Sequence, residues 1–189
     1  MTACVGGSDV PGATVPPTGT ASAEVLPVPG RTIAAAPTDI GDLNGYRIAV
    51  VIPDTSDASE RLLAAAREVA SSAGADLVEL PADLTGADPV GAALEEALAA
   101  DADLVVGLGD GVIGVFDIET GKALDQQVLV IGGQLAEPTE NVTAVIWPGA
   151  TAREASDDAA VTVERGVDAL AAGIASIREG VSGVVLSLD

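Results

Sequence analysis

Tyr46-Arg47-Ile48-Ala49-Val50-Val51-Ile52-Pro53, followed by Asp54-Thr55-Ser56-Asp57-Ala58-Ser59, is the stretch whose reading decides the fold. An apolar run rich in β-branched residues, stopped by a proline and small polar side chains, predicts a strand buried on both faces that empties into a loop leading to a helix. Burial on both faces is the mark of a central strand in a parallel sheet. Ligands of open α/β sheets sit at the carboxyl ends of the strands, so Asp54, Thr55, Ser56 and Asp57 are the first candidates for function.

Working outward, residues 59–73 carry Leu62, Leu63, Ala66, Val69 and Ala70 at helical spacing, with Asp57 or Ser59 as the expected cap and Gly74 as the stop. A second strand is expected at 76–80, a helix at 89–100 with Pro89 in its first position, and a third strand at 104–108. Residues 112–126 predict a short or broken helix with Ile113, Phe116 and Leu124 inward, weakened by Gly114 and Gly121. The fourth strand, 128–131, ends in Gly132-Gly133-Gln134, and the fifth, 142–147, ends at Pro148-Gly149. Residues 153–179 read as the longest helix, with Val163, Val167, Leu170, Ile174 and Ile177 in one stripe, before a last strand at 184–188. The alternation predicts an α/β three-layer sandwich with a mostly parallel sheet and right-handed crossovers. The expected strand order is 2-1-3-4-5, with the C-terminal strand at an edge or beside the fifth, and the switch point falls between strands one and three.

Of 189 residues, those from 45 to 189 have the pattern of a single domain, while 1–44 are rich in Pro, Gly, Thr, Ala and Ser and read as a disordered linker. The apolar residues are Ala, Val, Leu and Ile, and the aromatics number three: Tyr46, Phe116 and Trp147. Little π surface is available for stacking on a flat ligand. Twenty-nine acidic residues against eight basic ones give a formal charge of −21, with seven arginines and Lys122 scattered along the chain. A phosphate backbone needs a positive stripe, so nucleic acid is excluded as a partner, and the acidity reads as a solvated, self-repelling surface.

Histidine is absent, and the lone cysteine, Cys4, can form no internal disulfide. Without histidine and with one cysteine, in the tail, no nucleophile and base pair can be named, so an acyl-transfer enzyme is not expected; Ser with Lys or carboxylate pairs stay open, and the chain reads as a non-enzyme with a nucleotide-using enzyme as the lesser alternative. Gly109-Asp110-Gly111-Val112-Ile113-Gly114 matches a phosphate-cradling glycine motif after a strand. It follows the third strand rather than the first, no acid ends the fourth strand for a ribose hydroxyl, and Asp110 would face the phosphates. The glycines are expected to permit a tight turn, and no cofactor is expected. Asp54, Asp57 and Asp110 match the placement of a phospho-acceptor centre, but Trp147-Pro148-Gly149 stands where its lysine is needed. A metal on Asp54 and Asp57 is not expected either, since paired aspartates in such a loop cap a helix and repel each other into solvent.

Met1-Thr2-Ala3-Cys4 resembles the tail of a bacterial lipoprotein signal, in which small residues precede a cysteine that is lipidated. The alternative is a free thiol in a tail. Arg47 to Ile52, Asp103-Leu104-Val105-Val106-Gly107-Leu108-Gly109, Asn141-Val142-Thr143-Ala144-Val145 and Leu170-Ala171-Ala172-Gly173 together resemble the first lobe of a type I periplasmic substrate-binding protein. The likeness is strongest to the basic membrane protein family, bacterial lipoproteins that serve ABC transporters. The resemblance implies a membrane-tethered, extracytoplasmic module with a small-molecule ligand, nucleoside-like by analogy, and an ABC transporter permease as partner. It places the ligand edge at Asp54 to Ser59, Gly109, Asp110, Gly111, Gln134 and Trp147, and a lipid on Cys4. The family closes two lobes over its ligand, whereas these residues are expected to form one, without an acid after the fourth strand or an aromatic after the first. A half-clamp buries about half of a ligand, against roughly 70–90% in strong small-molecule sites, so weak binding is expected.

Overall fold

The computed structural model describes residues 1–2, 29–136 and 138–189. Its elements in chain order are β1 (Thr32–Ala34), β2 (Arg47–Ile52), α1 (Asp57–Ala73), β3 (Asp76–Pro81), α2 (Pro89–Ala99), β4 (Leu104–Leu108), α3 (Ile113–Glu119), β5 (Val128–Ile131), β6 (Val142–Ile146), α4 (Val163–Arg178) and β7 (Val185–Ser187). Single 3-10 turns, Asp110–Val112 and Thr120–Lys122, flank α3, so this segment is the short, interrupted helix its glycines predict. Phe116 points inward as expected, while Leu124 is 61% exposed.

Seven strands form one sheet in the order β1-β7-β6-β5-β4-β2-β3, every pair parallel. The expected order holds for the central strands, and the C-terminal strand lies beside the fifth expected strand. The difference is β1, which comes from the stretch expected to be linker and pairs with β7 from Thr32↔Val185 to Ala34↔Ser187. Three residues are too few to show a period in the sequence; the pairing surface of β7 supplies what local pattern cannot. Leu43 is likewise buried, its N–H donating to the Ala73 carbonyl at 2.8 Å, so the folded unit reaches back before residue 45.

Side chains alternate across each strand, which divides the core into two layers. Ile48, Val50, Leu104, Val106, Leu129 and Val145 face α1 and α4, whereas Ala49, Val51, Val105, Val128 and Val130 face α2 and α3. α1 starts one residue after Ser56, whose hydroxyl accepts from Ser59 N–H; the cap is therefore Ser56 rather than Asp57 or Ser59. At the other end Gly74 takes the left-handed conformation (φ 80°) that closes the helix, as the sequence indicates. α4 begins at Val163 behind its cap Thr162, ten residues later than expected, and residues 151–162 run as an irregular strap instead.

Candidate functional site: the crevice at the switch point

β2 and β4 are neighbours, yet the chain leaves β2 for α1 on one face and β4 for α3 on the other. That divergence opens a crevice at their carboxyl ends. Asp54, Ser56, Gly109, Asp110 and Gly111 all line it, so the two loops singled out in the sequence meet here. Thr55 and Asp57 are exposed beside it and do not line it, and the Asp57 carboxylate lies 3.6 Å from Arg61 one helical turn on.

Asp54 is committed to local structure. Its Oδ1 accepts from Ser56 N–H at 2.9 Å, Ser56 Oγ at 2.6 Å and Ser59 Oγ at 2.7 Å, which fixes the turn into α1. Partial burial pushes this carboxyl up, but the three hydrogen bonds outweigh burial and hold it below the usual carboxylate range. Gly109 N–H donates to the Ile131 carbonyl at 2.8 Å with φ at 71°, and Asp110 then projects to the surface.

The strap after β6 crosses this crevice. Ser156 Oγ donates to Asp110 Oδ2 at 2.6 Å, and Arg61 Nη1 donates to the carbonyls of Asp158 (2.9 Å) and Val161 (3.2 Å). Gly149, Ala150 and Val161 also line the crevice, over Leu62, Leu108 and Gly132. Beneath the strap about 40 Å³ remains, against roughly 300–1,000 Å³ for ligand pockets, enough for a few waters and too little for a nucleoside.

Two expected edge residues lie elsewhere. Trp147 is 2% exposed and its Nε1 donates to the Ala160 carbonyl at 2.9 Å, so its ring packs in the core under the strap; beside it a groove of about 450 Å³ runs along the first turns of α4. Gln134 does not line the crevice; its Oε1 is buried without a hydrogen-bond partner. Cys4 lies outside the described residues. The strap residues Ser156, Asp158 and Val161 fall inside the stretch 153–179 that the sequence presents as one helix. The Ser156-Asp157-Asp158 cluster, rich in turn-forming side chains ahead of a threonine cap, was the available signal. Among the described residues no three acidic or cysteine side chains come together to hold a metal.

An all-parallel, doubly wound α/β sheet with its crevice at the switch point defines the class. No family model and no curated protein matches the chain. Among solved structures it is similar to a fragment of a putative lipoprotein from Peptoclostridium difficile 630, with a TM-score of 0.50 and 13% identity over 71% of this chain and 97% of that one. It is also similar to an ABC transporter solute-binding protein from Aeropyrum pernix K1 (TM-score 0.49, 16% identity, 55% of this chain and 29% of that one). A LacI family transcriptional regulator from Weissella paramesenteroides gives a TM-score of 0.41 and 18% identity over 53% of this chain and 36% of that one. The matched part is about a third of the length of each of the last two. At these identities the likeness is one of fold.

Proposed function

We propose that the chain is an extracytoplasmic binding or accessory module, related to ABC-transporter solute-binding proteins and held at the cell membrane by a lipid on Cys4. The observation that carries this reading is the meeting of the Asp54–Ser56 turn and the Gly109–Gly111 turn at the β2/β4 switch point, where folds of this class bind small molecules. The ligand is a small molecule, nucleoside-like by analogy, and the partner a transporter permease; no catalysis is assigned. The small open volume of the crevice among the described residues supports weak binding. A thermal-shift survey of nucleosides and sugars at millimolar concentration is expected to give at most slight stabilisation, reduced in Asp110→Ala. A nanomolar ligand, or stabilisation indifferent to that change, overturns the reading. Fatty-acid labelling of the protein in its own host tests the anchor, with label expected in the natural sequence and lost in Cys4→Ser.

A second reading is an envelope interaction protein with no ligand. Its support is that the Asp54 carboxylate and the crevice mouth are both occupied by the chain's own groups. A ligand survey that stays blank, with Asp54→Ala and Asp110→Ala cells indistinguishable from wild type, selects it.

A further inference from the structure

We infer that residues 148–161 are a latch that holds the crevice shut, with the Ser156 hydroxyl standing on Asp110 where a hydrogen-bond-donating ligand would stand. The ends of the strap are anchored. At one end Trp147 and Ala150 form an antiparallel bridge, and at the other the Trp147 indole holds Ala160 and Thr162 caps α4. Between these points residues 153–159 are all exposed, so little apolar burial holds the middle in place. Ser156 to Asp110 is the single side-chain hydrogen bond, among the described residues, that joins the strap to the turn after β4. The turn into the strap is sprung as well. Ala152 sits at φ 56°, a left-handed conformation that an L side chain leaves readily, three residues after Gly149 at φ 86°.

The middle is tied by a few hydrogen bonds, Arg153 Nη2 to the Leu135 and Ala136 carbonyls (3.3 and 3.5 Å), Arg61 Nη1 to the Asp158 carbonyl (2.9 Å) and Asp157 N–H to the Gly149 carbonyl (2.9 Å). A frame anchored at both ends, with an exposed centre held only by such bonds, opens at the centre. Closed, the strap leaves about 40 Å³ beneath it, too little for a nucleoside; open, it frees the already exposed Asp110 carboxylate from Ser156 and uncovers the half-buried Gly109. A ligand then binds only the open fraction, and its apparent affinity falls by that fraction. The purpose of the latch, though not its existence, rests on the crevice being the ligand edge.

Hydrogen–deuterium exchange on the full chain tests the latch without any ligand. A hydrogen bond to a charged acceptor is lost in Ser156→Ala, so amides in 150–157 are expected to exchange roughly ten-fold faster, with β4 and α4 unchanged. Asp110→Asn, which keeps an acceptor but not the charge, is expected to give a smaller acceleration in the same residues. Unchanged exchange in Ser156→Ala, or strap amides already unprotected in the natural sequence, overturns the latch. Should Ser156→Ala loosen α4 too, Asp110→Asn decides: faster strap exchange over a protected α4 supports the latch, and anything else ends it. A blank ligand survey leaves a positive exchange result standing, so the two proposals fail separately.

Discussion

Asp54 shows how a residue can be in the expected place with a different task. Its position after the first apolar run was legible; that its Oδ1 turns back to Ser56 and Ser59 was not, because either aspartate of the Asp-Thr-Ser-Asp loop could fold inward. Removing it in Asp54→Ala should cost about 0.5–2 kcal/mol at pH 7, the range for a side-chain acceptor lost at a helix start. Because the folded carboxyl is held below its ordinary value, the stability it contributes is complete above that value and is lost as the pH falls through the lowered one. Urea denaturation of the two proteins should therefore diverge at pH 7 and begin to converge only as the pH falls below about 4, toward the lowered folded-state value. Trp147 departs from expectation for a related reason: a tryptophan at a strand end faces the core or the cleft with equal right until the next segment is placed. Its burial predicts a blue-shifted emission from the sole tryptophan, and Trp147→Ala should cost about 3–5 kcal/mol in chemical denaturation.

At the scale of elements, the strands of the central sheet were readable because each is a nearly unbroken aliphatic run, and such runs need no partner to be recognised. The two misreadings, β1 and the start of α4, are places where tertiary pairing overrules local pattern. Residues 153–162 have helix-compatible composition, yet the indole bond to Ala160 and the Arg61 bonds to Asp158 and Val161 hold them as a strap. The packing of α1 on α4 also rests on one position that pattern does not reveal. A Cβ on Gly166 would lie 2.7 Å from the Ala65 Cβ. Gly→Ala inside a helix ordinarily stabilises by about 1 kcal/mol, whereas forcing two packed helices apart costs about 1–3 kcal/mol. Gly166→Ala should therefore lower the melting temperature, and a rise in calorimetry would show that α4 can shift at little cost.

For the whole molecule, charge is the dominant fact. Three ion pairs are present among the described residues, Arg61–Asp57, Arg67–Glu79 and Lys122–Glu119, all exposed enough to contribute little. Against them stands the mutual repulsion of a −21 chain. Raising sodium chloride from 0.1 to 1 M shortens the screening length from about 10 to 3 Å, which weakens the repulsion more than it weakens three pairs. The melting temperature should rise, by about 2–4 °C for each kcal/mol of relief, and a fall would mean that the pairs outweigh the repulsion.

The uniform direction of the sheet gives the molecule a top and a bottom. The described chain comes into β1 at Gly30, whose N–H meets the Gly183 carbonyl on the amino rim of the strands, while the Asp54 and Asp110 turns crown the carboxyl rim. The leading residues therefore join the folded body at the rim opposite the crevice, so whatever they are fastened to leaves the mouth unobstructed.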